Sequence, residues 1–128
     1  MEKVTGIGGF FFHSKNPDLL NDWYEKHLGV RHAGKEYKDG SWWQDEGPTV
    51  FGGESTSSNM GGAGKSWRIN FRVNNLDAMV AQLRAAGISV EVQTEVFPNG
   101  RFADLYDPDG NSIELWENSG TDSTRPSV

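Results

Sequence analysis

Residues 101–117 read "RFADLYDPDGNSIELWE". Two apolar–polar alternations flank a tight-turn signal. Successive strand side chains point to opposite faces. Ala103 and Leu105 therefore share one face with Ile113 and Leu115. Phe102, Asp104, Tyr106, Glu114 and Trp116 share the other. "DPDG", residues 107–110, has proline and glycine where a four-residue turn wants them. The stretch predicts two strands joined by a tight turn.

Working outward, "WRINFRV" at 67–73 alternates in the same way. Ile69, Phe71 and Val73 are apolar, while Arg68, Asn70 and Arg72 are polar. "NNLDAMVAQLRAAGI" at 74–88 has helical spacing, with Leu76, Met79, Val80 and Leu83 inward and Gly87 as its stop. "SVEVQTEV" at 89–96 predicts one more strand. The second half thus reads β-α-β-β-β. The first half repeats the plan. "GIGGFFFHSK" at 6–15 predicts a strand. "NPDLLNDWYEKHLG" predicts a helix capped by Asn16 or Asp18, with Pro17 in its first turn and Gly29 at its end. Leu20, Trp23, Tyr24 and Leu28 form its apolar face. Three short strands follow at 31–37, "SWWQD" (41–45) and "TVFGG" (49–53), punctuated by Gly40 and by Gly47-Pro48. The two strand–helix starts are offset by roughly 58 to 59 residues, an internal duplication. The expected domain is 1–118, with module one at about 4–54, a linker at 55–66 and module two at 67–117. The polar tail 119–128 is expected to be disordered.

The linker contains "GGAGKS", which invites a phosphate-loop reading. That motif needs a glycine at position 59, where Asn59 stands, and a helix after the Lys-Ser pair. A strand pattern follows instead, so the segment reads as a linker ending at a strand rather than as a nucleotide loop.

Composition narrows the function classes. The 128 residues suit one domain. A net charge of −6 argues against a nucleic-acid partner, which needs excess Lys and Arg. No apolar run approaches a membrane span, so no membrane partner is expected. No secretory leader is evident and cysteine is absent, which is compatible with the cytoplasm. Five Trp and seven Phe predict a filled core and an aromatic-lined cavity.

Three stretches carry a family likeness: "DLLNDWYEKHLGV" (18–30), "INFRVNNLDAMVAQLRAAGISV" (69–90) and "GRFADLYDPDGNSIELWE" (100–117). In these the chain resembles the glyoxalase/bleomycin resistance/extradiol dioxygenase superfamily, also called vicinal oxygen chelate proteins. The most specific piece is the turn feeding "SIELWE". The resemblance implies an α+β, glyoxalase-like fold, in which two β-α-β-β-β modules with curved mixed sheets enclose a cavity. It also implies a homodimer. The fold hosts isomerases, dioxygenases, resistance proteins and binders, so it does not fix the function.

Alternation places Arg68, Asn70, Arg72, Phe102, Asp104, Tyr106, Glu114 and Trp116 toward that cavity, with Gly9, Phe11 and His13 from the first strand. In metal-using relatives the resemblance implies His and Glu ligands on the first, fifth and eighth strands, often with one on the fourth. Here these positions fall on Gly9, on Arg68, on retained Glu114 and within "TVFGGE", where only Glu54 can ligate. A guanidinium cannot become a ligand and repels a divalent ion. The expectation is no metal cofactor, with an Arg68–Glu114 ion pair in its place. That pair is equally readable as a strand-to-strand structural contact.

His13 and Glu114 are the candidates for acid–base work. A satisfied or exposed histidine is the commoner fate. His27 suits a helix C-terminus, and His32 has no partner that the sequence names. Trp42 and Trp43 face opposite sides of a strand, so at most one lines the cavity. The leading function is a small-molecule binder, with Arg68, Asn70 and Arg72 as polar contacts and Phe11, Phe102, Asp104, Tyr106 and Trp116 around them. The alternative is a metal-dependent lyase or isomerase resembling lactoylglutathione lyase, or a dioxygenase, with an atypical ligand set. A third reading is an accessory protein with a vestigial cavity.

Overall fold

The computed structural model describes every residue except Lys35, Asp39, Ala63 and Val128. Its elements run α1 (Pro17–Leu28), β1 (Ile69–Arg72), α2 (Leu76–Ala85), β2 (Glu91–Val92), β3 (Gly100–Tyr106) and β4 (Ser112–Asn118), with a 3-10 turn at Gly120–Asp122. The strands make one sheet in the order β1-β4-β3-β2. β1 runs parallel to β4, and the other neighbours are antiparallel. The class is mixed α+β, as the resemblance implies.

Both helices begin as their capping residues dictate. Asn16 Oδ1 accepts from the Leu19 amide at 3.2 Å, and Gly29 ends α1 in the left-handed region at φ 71°. Asn75 Oδ1 accepts from the Ala78 amide at 2.9 Å at the start of α2. Glu117 of β4 accepts from the Leu76 amide at 2.9 Å, fixing α2 to the sheet. Leu20 and Tyr24 of α1 and Leu76, Val80 and Leu83 of α2 share one core with Ala103, Leu105, Ile113 and Leu115. Both helices therefore cover the same sheet face, and the alternation read in 101–117 is realised. No helix among the described residues is long and apolar enough to cross a membrane.

The 107–111 turn ties the two halves together. Asp107 Oδ1 accepts from the amides of Asp109 (2.9 Å) and Asn111 (3.0 Å). Its Oδ2 accepts from Asn111 Nδ2 (2.7 Å) and from the Tyr24 hydroxyl (2.6 Å). Lys65 Nζ donates to Asn111 Oδ1 at 2.8 Å, and Gly61 bridges Asn111. The "GGAGKS" segment is thus a connection stapled to this turn; Ala63 within it lies outside the described residues.

The first half departs from expectation. Among the described residues, the predicted strands at 6–15, 31–37, 41–45 and 49–53 join no sheet. Alternation fixes which face a strand buries but does not supply a partner, and a strand needs one for its backbone groups. Residues 10–12 instead meet module two through rings: Phe10 and Phe12 lie 5.0 and 5.2 Å from Trp67 between centroids. In 31–37, which includes undescribed Lys35, Tyr37 takes φ 57° at a turn. The strand predicted at 89–96 shortens to Glu91–Val92 because the chain turns at 97–100. Gly100 has φ 136° there, and a Cβ would strike the Glu117 carbonyl. The tail opens with the 3-10 turn, where Thr121 N donates to Pro98 O (3.0 Å) and Asn118 Nδ2 to Asp122 O (2.9 Å).

Candidate functional site

The sheet face opposite the helices is polar. Register sets Asn70 beside Glu114, Glu114 beside Asp104 and Asp104 beside Glu91, one row across four strands. The next row holds Arg72, Trp116 and Phe102. Three neighbouring carboxylates repel one another, and side-chain amides separate them. Asn70 Nδ2 donates to Glu114 Oε1 at 2.8 Å. Gln93 Nε2 reaches Asp104 (3.1 and 3.2 Å) and Glu114 Oε2 (3.2 Å). Among the described residues no Lys or Arg pairs with Glu114 or Asp104.

The expected Arg68–Glu114 pair does not form. Arg68 Nη2 binds Glu54 Oε1 at 2.6 Å. The reason is register: β1 runs parallel to β4, so Asn70 faces Glu114. Arg68 sits one same-face step behind, about 7 Å along the strand. Each of the two residues has another partner. Arg72 Nη2 donates to the Asp45 carbonyl at 3.0 Å.

The aromatics divide. Trp116 is only 1% exposed, stacks on Phe102 with planes 2° apart at 6.0 Å, and donates its Nε1 hydrogen to the Asn99 carbonyl at 2.9 Å. It supports Phe102 from beneath. Tyr106 is exposed at the end of β3, opposite Ser112. Phe11, 85% exposed, lies against Gly9. Phe11 and His13 line a shallow groove of about 290 Å³ with Phe12 and Trp67, which includes no residue of the polar row. Trp42 sits edge-on to Phe71 at 6.3 Å, and Trp43 is exposed. His27 rests against Trp23. His32, for which the sequence named no partner, has Nε2 3.1 Å from Glu25 and 3.4 Å from Asp22.

Gln93 and Glu91 belong to the site and were not singled out from sequence. The signal was there: "VEVQ" alternates, so both share a face opposite Val90 and Val92. As for metal, the family positions hold Gly9, Arg68, Glu114 and Glu54. Glu54 is engaged by Arg68, and both Glu114 oxygens by amides. Among the described residues no three His, Asp or Glu side chains form a group able to hold an ion. This donor set does not fit the family's metal centre.

Comparison with known proteins places these features. The chain matches the model of the Glyoxalase/Bleomycin resistance protein/Dioxygenase superfamily over residues 12–115. CFP32 of Mycobacterium bovis and of Mycobacterium tuberculosis, whose name gives a glyoxylase role only provisionally, is 34% identical over 97 residues. The match takes in 73% of this chain but 37% of CFP32, so the chain spans little more than a third of that relative. Among solved structures, TnmS3, an antibiotic binding protein from Streptomyces sp. CB03234, superposes with a TM-score of 0.57 at 18% identity. That superposition covers 93% of this chain and all of TnmS3, and at such identity it shows the fold alone. By the family model, which matches most of its length, this chain belongs to the glyoxalase/bleomycin resistance/dioxygenase superfamily.

Proposed function

We propose that this chain is a small-molecule-binding member of its superfamily that works without the family's metal centre. The observation that carries the reading is the hydrogen-bonded cluster Asn70–Glu114–Gln93–Asp104 on the open sheet face. It is rich in acceptors, and the half-buried ring of Phe102 adjoins it. Such a surface suits a ligand with hydroxyl, amide or amine donors and one flat apolar part. The antibiotic-binding neighbour supports the binding reading at the level of fold. Arg68 and Arg72, both engaged by first-half groups, border the site. A homodimer in which the second copy closes the open face completes the proposal, and a cytoplasmic location goes with it.

The test is a thermal-shift screen with glycopeptides, aromatic acids and thiol conjugates. A binder at a hundredfold excess over Kd raises stability by about 2.7 kcal/mol. Glu114→Ala and Asp104→Ala should each abolish the shift. A panel without binders, or shifts that survive both substitutions, would count against the reading. The second reading, a metal-dependent lyase, isomerase or dioxygenase, is favoured by the likeness to CFP32. Near-stoichiometric Zn, Ni, Mn, Fe or Co after dialysis, lost in Glu114→Ala, would establish it instead.

A further inference from the structure

Residues 45–54 run beside the edge strand β1, and the way they are held is unusual. Among the described residues, no backbone–backbone hydrogen bond joins 41–54 to anything. Three arginines do the holding. Arg68 binds Glu54 at 2.6 Å, Arg72 donates to the Asp45 carbonyl at 3.0 Å, and Arg125 meets Glu46 at 2.7 Å. Gly47 is fitted to the second of these, since a Cβ there would run into the Arg72 guanidinium. The apolar side chains contribute little, with Trp43 91% and Phe51 90% exposed. Next to the segment, Trp42 sits edge-on to Phe71.

Arg68 immediately precedes β1, and Asn70 and Arg72 follow it at every second residue. The middle one turns to Glu114, inside the polar cluster. The outer two reach the first-half segment. We propose that 45–54 is a releasable strap, latched to β1 by Arg68 and Arg72, that walls the open side of the polar face and lifts away without unfolding the sheet. The latch is one part-exposed ion pair and one side-chain-to-backbone hydrogen bond, and the hydrogen-bonded ladder of β1 on β4 is separate from it. The proposal concerns the wall of the site and holds whatever the face binds.

Chymotryptic cleavage after Trp43 and Phe51, timed by mass spectrometry on the full chain at a concentration low enough to keep it a single copy, reads the strap directly. Surface ion pairs of this kind are weak, so Arg68→Gln and Glu54→Gln should each speed cleavage after Phe51 by about two- to fivefold. The double variant should be no faster than either single one. The exchanged pair Arg68→Glu with Glu54→Arg should restore the slow rate. Arg72→Gln should speed cleavage after Trp43 in the same way. Phe102, within the sheet, should stay protected throughout. Unchanged rates in the single variants, additive rates in the double, no rescue by exchange, or sheet cleavage rising in step with the strap would each overturn the proposal. None of these readouts involves a ligand, so a failed latch is distinguishable from a failed binding site.

Discussion

The carboxylate of Asp107 accepts four hydrogen bonds, two from backbone amides and two from side chains. It is 5% exposed, so these bonds stand where water does not compete. Removing it in Asp107→Ala opens the 107–111 turn and leaves the Tyr24 hydroxyl and the Asn111 amide without their acceptor. The expected loss is about 3 kcal/mol, read as a lowered urea midpoint at unchanged slope. A loss under about 1 kcal/mol would show that the turn stands without this side chain. Gly100 gives a second residue-scale expectation. Its φ of 136° and the Glu117 carbonyl behind it leave no room for a methyl group. Gly100→Ala should cost about 1–3 kcal/mol by the same measurement. Sequence showed half of this. "DPDG" announces a turn by residue type alone, but nothing in it says that the first aspartate also receives a hydroxyl from α1. Arg68 teaches the same lesson, because its partner depended on a parallel register that no local pattern encodes.

Between elements, the bond from Tyr24 to Asp107 fastens α1 to the hairpin of the second half, across 83 residues of chain. The Tyr24 hydroxyl is pushed up, first by burial and then by its bond to the Asp107 carboxylate. In the unfolded chain a tyrosine ionises near pH 10. Above that pH the unfolded chain releases this proton while the folded chain retains it. The folded state then binds more protons, so stability falls as pH rises, by about 1.4 kcal/mol per pH unit. Below about pH 10 this contribution is intact. Urea midpoints between about pH 9 and pH 11.5 should therefore fall less steeply in Tyr24→Phe than in the wild-type chain. Equal slopes would disconnect α1 from the alkaline behaviour. Element by element, module two was legible because each signal agreed: caps, helix stops, period two and a tight turn all pointed to one arrangement. The first half carried the same signals for α1. Its strand segments gave conflicting ones, with glycine at 6, 8, 9, 52 and 53 and an unalternating "FFF" at 10–12. Among the described residues they join no ladder.

At the scale of the molecule, those unladdered segments leave a surplus of surface. The chain exposes 9775 Å². A folded chain of 14.2 kDa is expected to expose roughly 6,800 Å². The surplus is about 3,000 Å², and Ile7, Phe10, Phe11, Trp43, Val50 and Phe51 contribute to it. If each of two copies withdrew half of its surplus, the pair would bury about 3,000 Å² in total, inside the range of obligate homodimers at roughly 2,000–5,000 Å². A second copy of the chain suits this surface because the open face of module two lacks the covering that the first half was expected to give it. Sedimentation equilibrium at micromolar concentration should then return twice the 14.2 kDa chain mass. Phe51→Asp, which places a charge on the exposed face of the strap, should shift the equilibrium toward the single chain by at least tenfold in dissociation constant, corresponding to about 1.4 kcal/mol. Its thermal stability at low concentration should stay close to that of the wild-type chain, because Phe51 is 90% exposed. A species of single-chain mass at every concentration, or a dimer indifferent to Phe51→Asp, would mean that the surplus surface is not covered by a second copy through the strap.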